Sequence, residues 1–251
     1  EPCSGPWCFP TLLVKKPKQN ESEPDRWRMV IDVRALNKVT VRDETLLPLI
    51  DDTFLQLGGA KVFSKLDLMQ GFHQVELDEE STDKCAIVTR TMGLFRYTRM
   101  PMGLVNAPAT FQKLVNQVFY GMHDRVLPYL DDIIIFSRDV ASHLYHLEEV
   151  FERLREAGLR VAPWKCHFLC AEIEFPGHVV DAYGSRPMPS KVECIQRLAP
   201  PRDIRAVRSF LGMVGYYRRF IKSYSDRARP LVELLKKDIP WEWTTAKPRS
   251  R

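Results

Sequence analysis

Long apolar runs are missing from this sequence. None approaches the ~18 consecutive residues of a membrane span, so no membrane partner is expected. Paired cysteines are missing too. The six present are Cys3, Cys8, Cys85, Cys166, Cys170 and Cys194, and no two stand at two-residue spacing. Cys166-His167 with Cys170 lacks the second ligand pair of a zinc finger. Scattered cysteines in a chain this long fit a reducing compartment rather than a disulfide scaffold. Residue 1 is Glu and no basic, apolar and small-residue leader follows it. The chain therefore reads as a piece of something longer, intracellular and not secreted. Its 251 residues, 45% hydrophobic and 27% charged, suffice for one large or two small domains with a substantial core.

Charge is present but uneven. From Arg197 to the end there are 14 Lys/Arg against 5 Asp/Glu, a balance of +9, while the rest carries 23 against 27, a balance of −4. A basic C-terminal part suits a polyanionic backbone, whose neutralised phosphates release counterions. The plainer alternative is a solvated helical surface.

The stretch Val126–Ser137 reads Val-Leu-Pro-Tyr-Leu-Asp-Asp-Ile-Ile-Ile-Phe-Ser. Two short apolar runs, the second β-branched, flank Asp131 and Asp132, which predicts a tight hairpin with acids at its turn. Two carboxylates ~4 Å apart repel by roughly 4 kcal/mol at an effective dielectric of 20. A divalent cation reverses that sign, and hard carboxylate oxygens suit Mg²⁺ or Mn²⁺. The alternative is an Asp-Asp turn in solvent. A second apolar segment, Ala60–Met69, carries one acid, Asp67, and lone charges are seldom buried in strands without a partner. If that strand lies beside the hairpin, Asp67, Asp131 and Asp132 form the acidic cluster of a two-metal phosphoryl-transfer site.

Other segments are read by period and punctuation. Thr11–Val14 and Trp27–Val33 are strand candidates joined by a polar, Pro-containing loop, with Lys15 and Lys16 on one side and Arg28 on the other. Arg42–Gly58 has helical spacing. Gln74 and Val75 read as strand, and Asp78-Glu79-Glu80 as a solvated turn. Ala109–Tyr120 and Ala141–Leu159 are amphipathic helices, the second with Leu144, Leu147, Val150, Phe151 and Leu154 on one face. His143 and His146 read as surface or edge histidines. Pro128 lies inside the first hairpin strand, where proline is confined to edges, ends or bulges. Lys165–Val180 reads as paired strands, then Ser190–Leu198 and Ile204–Phe220 as helices.

These residues carry a resemblance. Tyr129-Leu130-Asp131-Asp132 resembles the catalytic signature of reverse transcriptases. Trp27–Asp32, Arg34–Lys38, Phe63–Leu68, Gly71–Gln74, Met100–Leu104, Asn106–Gln112, Gly177–Val180, Ser209–Gly212 and Tyr216–Phe220 resemble the gypsy-type long-terminal-repeat retrotransposon branch. The match runs from near residue 1 to about residue 243.

The resemblance implies an α+β right-hand polymerase fold: fingers, a palm with an antiparallel sheet backed by helices, a helical thumb, and no RNase H domain. Residues 1–57 and 76–106 would be fingers, 58–75 and 107–186 palm, and 187–251 thumb, with 244–251 a tail foreign to the family. It implies RNA-directed DNA synthesis with Mg²⁺, or Mn²⁺, on Asp67, Asp131 and Asp132. Phe72, after Gly71, would select deoxyribose by bulk. Arg28, Lys15 or Lys16, and Met102 would face the nucleotide; an aromatic is usual where Met102 stands. Gly177-His178 would be the primer grip, with Pro176 replacing an apolar residue. Arg218 and Arg219, among Tyr216, Tyr217 and Phe220, would grip the duplex, or simply pack a helix. Implied partners are an RNA or DNA template with primer, deoxynucleoside triphosphates, and the RNase H and integrase domains of a parent Pol polyprotein, in a cytoplasmic particle or the nucleus. The alternative is a decayed, nucleic-acid-binding remnant, motivated by Pro128, Pro176 and the long loop before Trp27.

Overall fold

The computed structural model describes residues 1–16, 24–45, 48, 53–54, 56–89 and 91–236. It divides into two compact units, Glu1–Ile173 and Glu174–Arg251. Residues 17–23 of the loop before Trp27, residues 46–47, 49–52 and 55 of the Arg42–Gly58 helix reading, and the tail from 244 lie outside the described residues. Among the described residues, no helix is long and apolar enough to cross a membrane.

In the first unit, β1 (Thr11–Lys15) pairs antiparallel with β2 (Trp27–Ile31). Then come β3 (Val62–Asp67), a second hairpin of β4 (Ala86–Thr89) and β5 (Gly93–Arg96), and β6 (Val126–Tyr129), β7 (Asp132–Ser137) and β8 (His167–Cys170). Strands β6, β7, β3 and β8 form one antiparallel sheet in that order. The β-branched run Ile133–Ile135 is fully buried, as a central strand requires. Pro128 falls on β6, an edge of this sheet, where a missing ladder donor is tolerated.

Alternation along the strands sorts the two faces. Ser64 and Leu66 of β3 share a face with Ile133, Ile135 and Ser137 of β7. Leu66, Ile133 and Ile135 pack with Phe111 and Val115 of the helix Ala107–Val118 and with Leu147 and Val150 of the helix Val140–Glu156. Lys65 and Asp67 share the opposite face with Asp132. The sheet is thus backed by helices on one side, as the resemblance implies, and carries its acids on the other.

Several local readings change. Gln74 closes the 3₁₀ turn Gly71–Gln74 rather than continuing a strand; the turn follows Gln70, which has φ +52°. Asp78 caps the short helix Glu79–Asp83 by accepting from the Ser81 N–H, so that segment is not a bare turn. Strand β2 ends at Ile31 and a short helix, Arg34–Val39, follows. On the helix Val140–Glu156, Leu144 and Phe151 are exposed, and the buried arc instead includes His143.

His143 is fully buried and is not a surface histidine. Its Nε2 lies 2.7 Å from Ser64 Oγ and its Nδ1 2.8 Å from Ser137 Oγ; Ser137 Oγ also lies 2.8 Å from His146 Nδ1. One direction satisfies every group. The Leu169 N–H donates to Ser64, Ser64 to His143, the His143 Nδ1–H to Ser137, and Ser137 to His146. Burial first, then the neighbouring His146, holds the His143 imidazole below its ordinary value of 6.5. The folded chain therefore refuses a proton that the unfolded chain accepts, so stability is full above that value and falls as pH drops below it. The melting temperature is expected to fall between about pH 7.5 and about pH 5.5, and His143→Leu to flatten that slope while lowering the temperature throughout. A slope unchanged in His143→Leu would contradict this assignment.

The second unit holds β10 (His178–Asp181) and β11 (Gly184–Pro187), antiparallel, in a sheet whose third strand is β9 (Glu172–Phe175). The helices Pro189–Gln196, Ile204–Gly215 and Tyr224–Glu233 follow. Asp203 caps the middle one through the Ala206 N–H.

Candidate active site

The acids converge through register. Asp67 at the end of β3 lies directly opposite Asp132 at the start of β7. Asp131 sits in the two-residue turn Leu130-Asp131 between β6 and β7. Leu130 takes φ +53°, costly for a side chain with a Cβ. Gln112, fully buried on the helix Ala107–Val118, offsets that cost. Its Oε1 accepts the Leu130 N–H at 2.9 Å and its Nε2 donates to the Pro128 carbonyl at 3.0 Å. Sequence reasoning missed Gln112, although a polar residue between Phe111 and Val115 on a buried arc is a detectable signal.

Burial pushes the Asp131 carboxyl above the ordinary carboxylate range; its own backbone N–H opposes this, and the charges of Asp132 and Asp67 push further upward. The three acids therefore feel one another, but two are committed elsewhere. Lys165, delivered by the 3₁₀ turn Pro163–Lys165, donates to both oxygens of Asp67 at 2.9 and 3.0 Å. Lys65, one strand position diagonal to Asp132, lies 2.9 Å from its Oδ2. Among the described residues, no group of three or more His, Cys, Asp or Glu stands where it could hold a metal ion. The donors have the right chemistry for a hard cation, but as placed they face lysines. Neither lysine was read from sequence; Lys165 is 98 residues from Asp67 and no local pattern links them.

Around this face, Gly71 and Phe72 lie on the 3₁₀ turn after Asp67. The Phe72 ring meets Phe111 edge-on at 5.6 Å. Gly71 is required there, since a Cβ would come within 2.8 Å of the Phe111 ring. Arg28 of β2 reaches Met102, with Nη1 3.5 Å from Sδ. Burial, then the positive Arg28, lowers the His73 imidazole. Lys15 is paired with Asp25 at 2.6 Å, while Lys16 is exposed and its backbone N–H donates to the Arg26 carbonyl at 2.8 Å.

In the second unit, Gly177 makes the turn between β9 and β10 with φ +74°. His178 is 2% exposed, so the turn offers backbone and not an imidazole to any ligand. Arg218 and Arg219 are exposed; Arg219 donates to Ser185 Oγ at 2.8 Å and lies over the Phe220 ring.

Residues 14–180 match the family described as reverse transcriptase (RNA-dependent DNA polymerase). The chain is 43% identical over 235 residues to the retrovirus-related Pol polyprotein from transposon 297 of Drosophila melanogaster, covering 93% of the chain and 22% of that protein. It is 42% identical over 245 residues to that from transposon 412, covering 97% and 20%, and 36% identical over 236 residues to that from transposon gypsy, covering 94% and 23%. It thus spans under a quarter of the curated relatives' length, and gypsy itself is less similar than two other elements. A foamy viral protease–reverse transcriptase in complex with double-stranded DNA superposes with TM-score 0.82 at 29% identity, covering 94% of this chain and 41% of that one. The same kind of protein with an RNA/DNA hybrid gives 0.77 at 29% identity, covering 94% and 31%. The fingers, palm and thumb fold of those structures is the fold found here. The chain belongs to the reverse transcriptase (RNA-dependent DNA polymerase) family.

Proposed function

We propose that this chain is a primer–template-binding domain whose acid site, as arranged, is closed by two lysines. The carrying observation is that Lys165 spans Asp67 while Lys65 holds Asp132. A duplex partner is supported by the basic balance of +9 from Arg197 onward, by exposed Arg218 and Arg219, and by relatives solved on double-stranded DNA and an RNA/DNA hybrid. This arrangement fits the nucleic-acid-binding remnant better than a site poised for transfer.

A second reading, RNA-directed DNA synthesis, is favoured by the intact trio Asp67, Asp131 and Asp132, with the first and last directly opposed. In it, Asp67, Asp131 and Asp132 would hold Mg²⁺ or Mn²⁺ in place of their lysine contacts, and the ion would supply positive charge for phosphoryl transfer. Phe72 then selects deoxyribose, and Arg28, Met102 and Lys15 or Lys16 face the triphosphate. Both readings take residues 1–57 and 76–106 as fingers, 58–75 and 107–186 as palm and 187–251 as thumb. Both take Gly177-His178 as the primer-grip turn, and both place the chain in a gypsy-type Pol polyprotein beside RNase H and integrase, inside the cell.

Fluorescence anisotropy with a labelled RNA/DNA hybrid tests the shared part; binding should weaken steeply with salt, as phosphate neutralisation requires. Primer extension on an RNA template with Mg²⁺ or Mn²⁺ separates the two readings. Binding without product supports the closed site. Product from the parent and none from Asp131→Asn establishes synthesis. Failure to bind any duplex overturns both.

A further inference from the structure

The turn that would meet a primer end is held by two tyrosines in a way that packing alone does not require. Tyr216 and Tyr217 end the helix Ile204–Gly215 and lie about 40 residues from the turn in sequence. Tyr216 Oη donates to the Pro176 carbonyl at 2.7 Å, and Tyr217 Oη to the Gly177 carbonyl at 3.1 Å. Two consecutive carbonyls of one turn thus each take a phenol hydroxyl from two consecutive residues. The Gly177 carbonyl also accepts the Met188 N–H at 3.1 Å, and the Pro176 carbonyl the His178 Nδ1–H at 2.9 Å. The His178 ring is wedged among Tyr216, Tyr217 and Phe220, with centroids at 5.3, 5.4 and 5.5 Å. There is no slack at the turn itself. A Cβ on Gly177 would lie 2.8 Å from the Tyr216 ring and 2.9 Å from Tyr217 Oη.

Phenylalanines would fill the same volume, so the hydroxyls do something besides packing. They tie the turn rigidly to the segment that carries Arg218 and Arg219, which follow directly in sequence. We propose that Tyr216 and Tyr217 are positioning residues. They latch the Pro176–Gly177 turn to the end of the helix Ile204–Gly215, so that the part of the unit gripping the duplex fixes where the turn meets the primer terminus. This rests on the primer–template reading above and adds to it a determinant of register on the nucleic acid.

The test uses Tyr216→Phe/Tyr217→Phe, which keeps both rings and removes both hydroxyls. Anisotropy compares a hybrid with a recessed primer end and a blunt hybrid of equal length, and a hydroxyl-radical footprint locates the chain on each. The expected result is a loss of about tenfold in preference for the recessed end, as two lost hydrogen bonds would give, with blunt-hybrid affinity unchanged and the footprint no longer fixed at the terminus. If the double variant keeps the parent's preference and footprint, the latch is overturned while the functional reading stands. A parent that binds no duplex, or ignores the primer end, overturns both.

Discussion

Asp131→Asn should raise the melting temperature of this chain while removing any nucleotide transfer it performs. Asp131 occupies a costly position. It follows Leu130 in a left-handed conformation, burial raises its carboxyl, and Asp132 and Asp67 add repulsion. Asparagine has nearly the same shape and no charge, so the substitution relieves the burial cost and the repulsion together. For a chain of this size the midpoint moves about 2–4 °C for each kcal/mol relieved. The sign with pH is fixed by the direction of the shift. A carboxyl raised in the folded state costs stability above its raised value, and the cost disappears as pH falls toward the ordinary 3.8. The difference between Asp131→Asn and the parent should therefore be widest at neutral pH and close in acid. A variant less stable than the parent at neutral pH would mean that the carboxylate makes a stabilising contact this account lacks. The same substitution is the control for primer extension.

Lys65→Met/Lys165→Met should bind Mn²⁺ at least about tenfold more tightly than the parent, or about 1.4 kcal/mol. An incoming ion must break the contacts of Lys165 with both Asp67 oxygens and of Lys65 with Asp132. Unit charges ~3 Å apart attract by roughly 5 kcal/mol at an effective dielectric of 20. The Lys165 side chain is 55% exposed, so solvent screens most of its share, and the net barrier is far smaller. Lys65 and Asp132 are 19% and 25% exposed, which makes Lys65 the firmer of the two. Methionine keeps the length of the stem and drops the charge. Without metal the variant should melt below the parent, because the carboxylates are left facing one another. With Mn²⁺ it should melt above its own metal-free state by more than the parent does. Equal Mn²⁺ affinity in the two chains would show that the lysines are not what keeps the acids from metal.

The central hairpin was legible because a β-branched run with acids beside it has few other readings, and the register that sets Asp67 against Asp132 follows once β3 lies beside β7. The helices were legible from spacing, but the edges of their buried arcs were not. His143 lies inside the arc of its helix, where two serines one strand apart satisfy it. A single sequence shows no such pairing across 79 residues. The 3₁₀ turn at Gly71–Gln74 hid behind a strand-like pattern because its cause is a left-handed Gln70, a residue with no special preference for that conformation. Lys65 and Lys165 look like ordinary surface charges in sequence, and only the alternation of β3 and the turn at Pro163–Lys165 aim them at acids. Apart from the Gly71–Gln74 turn and the arc edges, what was missed is long-range and polar. Periodicity reports the apolar faces and is silent about which charges meet across them.

The most direct test of the closed acid site is a Mn²⁺ titration followed by electron paramagnetic resonance. The parent chain is first saturated with an RNA/DNA hybrid whose primer lacks a 3′ hydroxyl, and the matching deoxynucleotide is present. The hybrid should stay bound, and the parent should deplete the free Mn²⁺ signal no further than the hybrid and nucleotide do alone, whereas Lys65→Met/Lys165→Met depletes it further. Further depletion by the parent itself, lost in Asp131→Asn, would contradict the closed site and establish an acid site that opens on its own for synthesis.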